Sequence, residues 1–421
     1  MRDKTLTLDV WWADFAGHVA AIPDPRSARG VRHPFGATIA LACAAMLSGR
    51  NTIAAIERWA RDAPQTVLAA AGTRKVNGPF GTGFCPPGYD TFRRLIGVAV
   101  PEGVAALAAA ARQLAFAPDD QVRIDGKRLR GAAPGKVKPL LVAAHDSAER
   151  ALDQVLALDN DENAAARHLI DTLDAVTALI SADALHCCVE TAQVILDRDF
   201  DYLLCCKGNR PELFAQIDAL PWAGIDNAWE TSGSGHGRDE TRTIKILAAG
   251  GAVRIDFPGV RQVARVRRWC RDRRTGKASH ETVYYLTSRD FRALRPAEFA
   301  AAVRRHWGIE AWHWLRDMVF GEDASNLRSG FAPQNLASLR NLAIAVMKTV
   351  GGQGITALRD RIANHPYTLP LEILGLALIE QTFQPRRLCL CPGGPDGVPQ
   401  RLAAATSPKV VPAAARACRC R

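Results

Sequence analysis

Apolar positions recur at helical spacing through the first 115 residues, in VWWADFAGHVAAI, GATIALACAAMLSG, TIAAIERWARDAPQTVLAAAG and GYDTFRRLIGVAVPEGVAALAAAARQLA. The Pro- and Gly-rich breaks PDPRSARGVRHP and GPFGTGFCPPG separate them, so a helical domain is expected over residues 1–115. The pattern then changes. QVRIDGK (121–127), LLVAAHD (140–146) and ALDQVLALD (151–159) are short, rich in β-type residues and divided by turn residues, which predicts a three-stranded meander. A helical stretch, ENAAARHLIDTLD (162–174), leads to the strand TALISAD (177–183), the helix CVETAQVILDRD (188–199) and the strand YLLCCKG (202–208).

The order β-β-β-α-β-α-β implies an α/β domain over 116–350, with a mixed sheet whose later strands run parallel and carry helices on their faces. That order matches a ribonuclease-H-like fold. Residues 216–294 interrupt it with segments that alternate like strands, GSGHGRDETRTIKIL, VRQVARVRRW and HETVYYLTS, and read as a β-rich insertion. Helical spacing resumes in PAEFAAAVRRHWGIEAWHWLRDMVF (296–320) and QNLASLRNLAIAVMKTV (334–350), and a C-terminal helical segment is expected over 351–380. Residues 381–421 hold Pro, Gly and Ala without a lasting period and read as a disordered tail.

Charge refines the picture. The 421 residues carry a formal net charge of +11, which points to an anionic partner. More than half of the excess lies in the tail, where seven Lys and Arg face the single acid Asp396. The start lacks a secretory signal, and ATIALACAAMLSG is too short to span a bilayer, so a cytoplasmic protein with no membrane association is expected. The eleven cysteines include the pairs Cys187–Cys188 and Cys205–Cys206 inside apolar runs, and read as reduced, mostly buried thiols. The tail's CLC and CRC lack the spacing of a zinc finger.

The candidate chemistry begins with two acids. In the expected strand order Asp125, on the first strand, neighbours Asp183, at the end of the fourth. A buried carboxylate needs a cation or a strong hydrogen-bond partner, and converging hard oxygens suit Mg²⁺ or Mn²⁺. Two such ions, roughly 4 Å apart, support in-line phosphoryl displacement. Glu310 is the best third acid: on a helix, His306, His313 and Asp317 would share its face and support it. Each acid has an ordinary alternative as well. Asp125-Gly126 is a hairpin-turn signal, Asp183 is a good helix cap, and Glu310 fits a salt-bridged core edge.

These residues carry a resemblance. The motifs IDGKRLRG (124–131), SADALH (181–186), YLLCCKGNRP (202–211), GHGRDETR (235–242), RRHWGIEAWHW (304–314), RDMVFGEDASNLRSG (316–330) and SLRNLAI (338–344) resemble bacterial insertion-sequence transposases of the DDE type, in the group that includes the H-repeat-associated proteins. DPRSARGVRHP and PPGYDTFRR resemble the helical domain that accompanies this family's catalytic domain. The resemblance implies Asp125, Asp183 and Glu310 as catalytic carboxylates holding two Mg²⁺ ions, with Mn²⁺ as substitute. It further implies cleavage at the ends of a mobile element, joining of the 3′-hydroxyl to target DNA, and a homodimer in the synaptic complex. Lys127, Lys207, Asn209, Arg238, Arg242, Arg304 and Arg305 become candidate DNA contacts, because Lys and Arg make most contacts to the phosphate backbone. His186 becomes a neighbour of the site, and Trp307 and Trp312 are candidates either to stack on an unpaired base or to pack in the core. In related transposases a basic residue commonly stands two turns after the third acid, where this chain has Asp317. An inactive DNA-binding remnant and a metal-dependent nuclease of the same fold are the alternatives.

Overall fold

The computed structural model describes residues 15–376 apart from 79–80, 111–120, 133–137, 148–150, 174, 176, 236 and 351–353. The basic tail therefore lies outside the described residues.

The chain opens with helices α1 (Phe15–Ala21), α2 (Phe35–Leu47), α3 (Ile53–Arg61) and α4 (Gln65–Ala70). Helix α2 is apolar all round and is buried almost along its whole length, as a helix without a polar face must be. The stretch 52–72, read as continuously helical, is divided because Pro64 cannot donate to a helical bond and heads α4 instead. A hairpin follows, β1 (Arg74–Gly78) with β2 (Gly81–Cys85), inside the segment read only as a break. Its mostly exposed, Gly-rich strands carry no apolar alternation to reveal them. Helices α5 (Tyr89–Val98) and α6 (Pro101–Ala110) complete this part, divided at Pro101.

Next comes the meander β3 (Gln121–Arg128), β4 (Leu140–His145) and β5 (Ala151–Leu156), antiparallel throughout. Helix α7 (Glu162–Thr172) crosses over to β6 (Leu179–Ala182), and α8 (Val189–Asp197) to β7 (Asp201–Cys206). Strands β3, β6 and β7 are parallel neighbours. After α9 (Pro211–Asp218), the insertion forms β8 (Trp229–Gly235), β9 (Arg238–Ala248), β10 (Gln262–Asp272) and β11 (Ala278–Thr287). These strands do not form a sheet of their own: β11 pairs antiparallel with β7, giving one nine-stranded sheet in the order β5-β4-β3-β6-β7-β11-β10-β9-β8. Its first five strands make the mixed ribonuclease-H-like sheet.

The two faces of this sheet follow from the period of two along its strands. Ile180, Ala182 and Leu204 pack with Leu169 and Ile195 of α7 and α8. Leu179, Leu203 and Cys205 face the other way, toward Phe299 and Val303 of α10 (Pro296–His306). The segment 296–320 is not one regular helix: α10 ends before Trp307, α11 (Gly308–Trp314) follows, and Leu315–Val319 form a π turn. Helix α12 (Ala332–Val350) buries its apolar face in the core shared with α2, α5 and α6, and α13 (Ile355–Asn364) and α14 (Leu369–Ile373) close the described chain. Among the described residues no helix is long and apolar enough to cross a membrane.

Candidate active site

Parallel pairing sets Ile124 opposite Ala182, so Asp125 and Asp183 each stand one step beyond the end of that ladder, Asp183 just past β6 and Asp125 within β3. Asp125 remains inside β3, paired with Ala143 of β4, so Asp125-Gly126 is not a hairpin turn here. Its Oδ1 accepts the Gly126 N–H at 2.9 Å. Asp183 caps the short turn Ala184–His186, accepting the Leu185 N–H at 2.8 Å, while its side chain stays about half exposed. Burial pushes the Asp125 carboxyl up to about 7, and the neighbouring Asp183 charge pushes the same way. A half-buried acid beside a second acid is a poor place for two negative charges without a cation.

Helix α11 lies along β3. His313 Nδ1 is 3.6 Å from Asp125 Oδ2, and the next turn brings Asp317 Oδ2 to 2.6 Å from Lys127 Nζ. Lys127, expected to contact phosphate, is therefore spent on Asp317, with only 10% of its side chain exposed. His313 supplies no compensating charge, since burial, helped by Arg316 and Lys127, lowers its pKa to about 3. His306, bonded through Nδ1 to Ser181 Oγ at 3.2 Å, is likewise held neutral at neutral pH by burial, its pKa falling to about 4.

Glu310 stands one turn before His313, about 4.5 Å along the helix axis. It is exposed and lines a cleft of about 460 Å³ between α10 and the insertion strands, together with Arg242, Arg304, Tyr285 and Trp307. Among the described residues, no group of three or more His, Cys, Asp and Glu is gathered so as to hold a metal ion. The donor set nearest to such a site is the Asp125–Asp183 pair. Its hard carboxylate oxygens and the raised Asp125 pKa fit a divalent cation that keeps most of its waters.

The other expected DNA contacts separate. Asn209 Nδ2 donates to the Ala184 carbonyl at 2.7 Å, pinning the turn that carries Asp183, and Lys207 is exposed at the start of the same loop. Arg304 and Arg305 are exposed at the end of α10, where Arg305 Nε also donates to Gln121 Oε1 at 2.9 Å. Arg242 pairs with Glu240 at 2.7 Å on the wall of the cleft. Arg238 starts β9 nine residues before Leu247, roughly 30 Å along the strand at the usual rise, so it belongs to the far end of the insertion. Trp312 is core: it is 1% exposed and donates from Nε1 to Asn341 Oδ1 at 3.1 Å, whereas Trp307 is exposed.

Two features were not legible. Glu162, first residue of α7, reaches over Gly126 beside Asp125, and its Oε1 is 3.5 Å from His186 Nε2. Glu162 sits in the first turn of α7 behind the cap Asp161, which accepts the Ala164 N–H at 2.9 Å, and an acid is favoured there in any helix, so nothing local singles it out. The second is Glu322, buried between Arg316 at 2.8 Å and Arg340 at 3.4 Å. No periodicity signals a buried ion triad.

Comparison with known proteins gives a consistent result. The family profile described as "Transposase DDE domain" matches residues 124–346, more than half of the chain, and one described as "DDE_Tnp_1-associated" matches residues 16–109. The chain is 28% identical over 372 residues to "Putative transposase YncI" of Escherichia coli O157:H7, covering 82% of this chain and 90% of that protein. It is 26% identical over 351 residues to "H repeat-associated putative transposase YhhI" of Escherichia coli strain K12, covering 78% and 89%. Among solved structures, a piggyBac transposase synaptic complex with hairpin DNA aligns at a TM-score of 0.41 and 10% identity, over 91% of this chain and 83% of that one.

Proposed function

We propose, for a chain that belongs to the DDE-domain transposase family, that it cleaves the ends of an insertion sequence and joins the resulting 3′-hydroxyls to target DNA. The observation that carries this reading is the adjacency of Asp125 and Asp183, with the helix that bears Glu310 docked on the same strand through His313. Asp125 and Asp183 would hold the divalent cations, Mg²⁺ or Mn²⁺, with Glu310 as the third carboxylate. Bound there, such ions supply the Lewis acidity for in-line displacement at phosphorus.

The chain's own groups do the rest. Neutral His313 and His306 add no positive charge that would compete with a cation for the aspartates. Asn209 fixes the Asp183 turn, which limits how far that carboxylate can swing. Lys207, Arg304 and Arg305 lie exposed on the loop and helix beside the pair, and would position the DNA backbone. The helical residues 1–115 would hold the element end, and two copies would bring two ends together.

The test is a strand-transfer assay with Mg²⁺ or Mn²⁺ and duplexes that carry the element's ends. Joined products that disappear in D125N, D183N and E310Q support the reading. Nicking without joining would point to a nuclease, and binding without either would point to an inactive remnant.

A further inference from the structure

Glu162 is the carboxylate that the motifs did not claim. It enters the site from α7, on the opposite side of β3's end from the docked helix α11, and its place depends on Gly126. A Cβ at Gly126 would fall well inside contact distance of the Glu162 carboxylate, so the absence of a side chain there is what lets the acid lie across the strand next to Asp125. His186 marks the same spot independently. It is fully buried, neither ring nitrogen has a hydrogen-bond partner, and Nε2 is directed at the acids, 3.5 Å from Glu162 Oε1 and 4.0 Å from Asp183 Oδ1.

We infer that Glu162 is a positioning residue for the divalent cation at Asp125–Asp183: its carboxylate accepts hydrogen bonds from the water molecules of the cation's shell. The inference rests on the proposed function for the location of the cation, and goes beyond it in assigning a fourth acid. Magnesium-like ions take one or two carboxylates and keep several waters. Those waters donate outward, and an acid wedged over Gly126 with 18% of its side chain exposed is placed to receive them. Groups that orient a metal's immediate ligands typically contribute roughly 10- to 100-fold in metal affinity.

The experiment measures Mn²⁺ affinity of the full chain by electron paramagnetic resonance or calorimetry, without DNA. Glu162→Gln keeps the shape and removes the charge; it should weaken Mn²⁺ binding roughly 10- to 100-fold at an unchanged melting temperature. Gly126→Ala should weaken binding comparably by displacing the carboxylate, and should add little in the Glu162→Gln background. Asp125→Asn serves as the reference for loss of the site. If the wild type binds and Asp125→Asn does not, yet Glu162→Gln binds like wild type, the role of Glu162 is overturned while the aspartate site stands. A lower melting temperature in Glu162→Gln with unchanged affinity also overturns it, since that is the signature of a purely structural acid. If the wild type itself binds no Mn²⁺, the aspartate site and the inference fall together.

Discussion

At the scale of the residue, Asp125 is held in a state that an ordinary carboxylate would not choose. Burial and then the Asp183 charge lift its pKa from 3.8 to about 7, against the Gly126 N–H that favours ionisation. The folded protein therefore binds a proton that the unfolded chain has already released between about pH 4 and pH 7. Stability from this group is full below the unfolded value and is lost as pH rises through the folded one. In metal-free protein, Asp125→Asn should be more stable than wild type at pH 8, by roughly 1–4 kcal/mol, and the gap should close near pH 4. Chemical denaturation at a series of pH values checks this, and a gap independent of pH would contradict it. If Asp125 holds a cation as proposed, the sign also predicts stronger cation binding as pH rises through about 7, since a carboxylate ligand must be deprotonated.

At the scale of the element, the segment from α11 to α12 is fixed by buried charge rather than by apolar packing alone. Burial alone would raise the pKa of Glu322, but Arg316 and Arg340 outweigh it and hold the carboxyl below the usual range. Arg316 lies in the π turn that follows α11, and Arg340 lies in α12, so one carboxylate links the turn to the long helix. Removing one member of such a set leaves uncompensated charge in the interior. Glu322→Ala should cost about 3–5 kcal/mol in urea denaturation, whereas a surface pair such as Arg61–Glu57 should cost under about 1 kcal/mol. An equal effect for the two would show that the triad is not buried in solution. The same elements explain why 296–320 resisted a simple reading. Its apolar spacing continues through Trp307, but Gly308 and the π turn re-aim the helix so that His313 and Asp317 meet β3.

At the scale of the whole molecule, the insertion and the tail play different parts. The four inserted strands extend the central sheet beyond β7 and wall the cleft into which Glu310 opens. The tail contributes charge: seven basic side chains and one acid over residues 381–421. Counterion release makes DNA affinity fall with salt in proportion to the phosphates neutralised. Truncation after residue 380 should give a shallower dependence of log affinity on log salt for non-specific duplex, with the melting temperature unchanged. Fluorescence anisotropy at several salt concentrations checks this, and an unchanged slope would show that the tail makes no phosphate contacts.

The sequence by itself determined the order of strands and helices from β3 to β7, because periods of two and of 3.6 are local properties of neighbouring residues. From that order followed the mixed sheet and the meeting of Asp125 with Asp183, since parallel neighbours end side by side. The motifs determined the family. Tertiary structure alone decided the rest: that the insertion joins the central sheet, that Lys127 is consumed by Asp317, that Trp312 is core while Trp307 is exposed, and that Glu162 lies over Gly126. Each of these depends on which distant side chain occupies the space a residue faces. Burial and charge pairing are settled between segments far apart along the chain, where no local spacing records them.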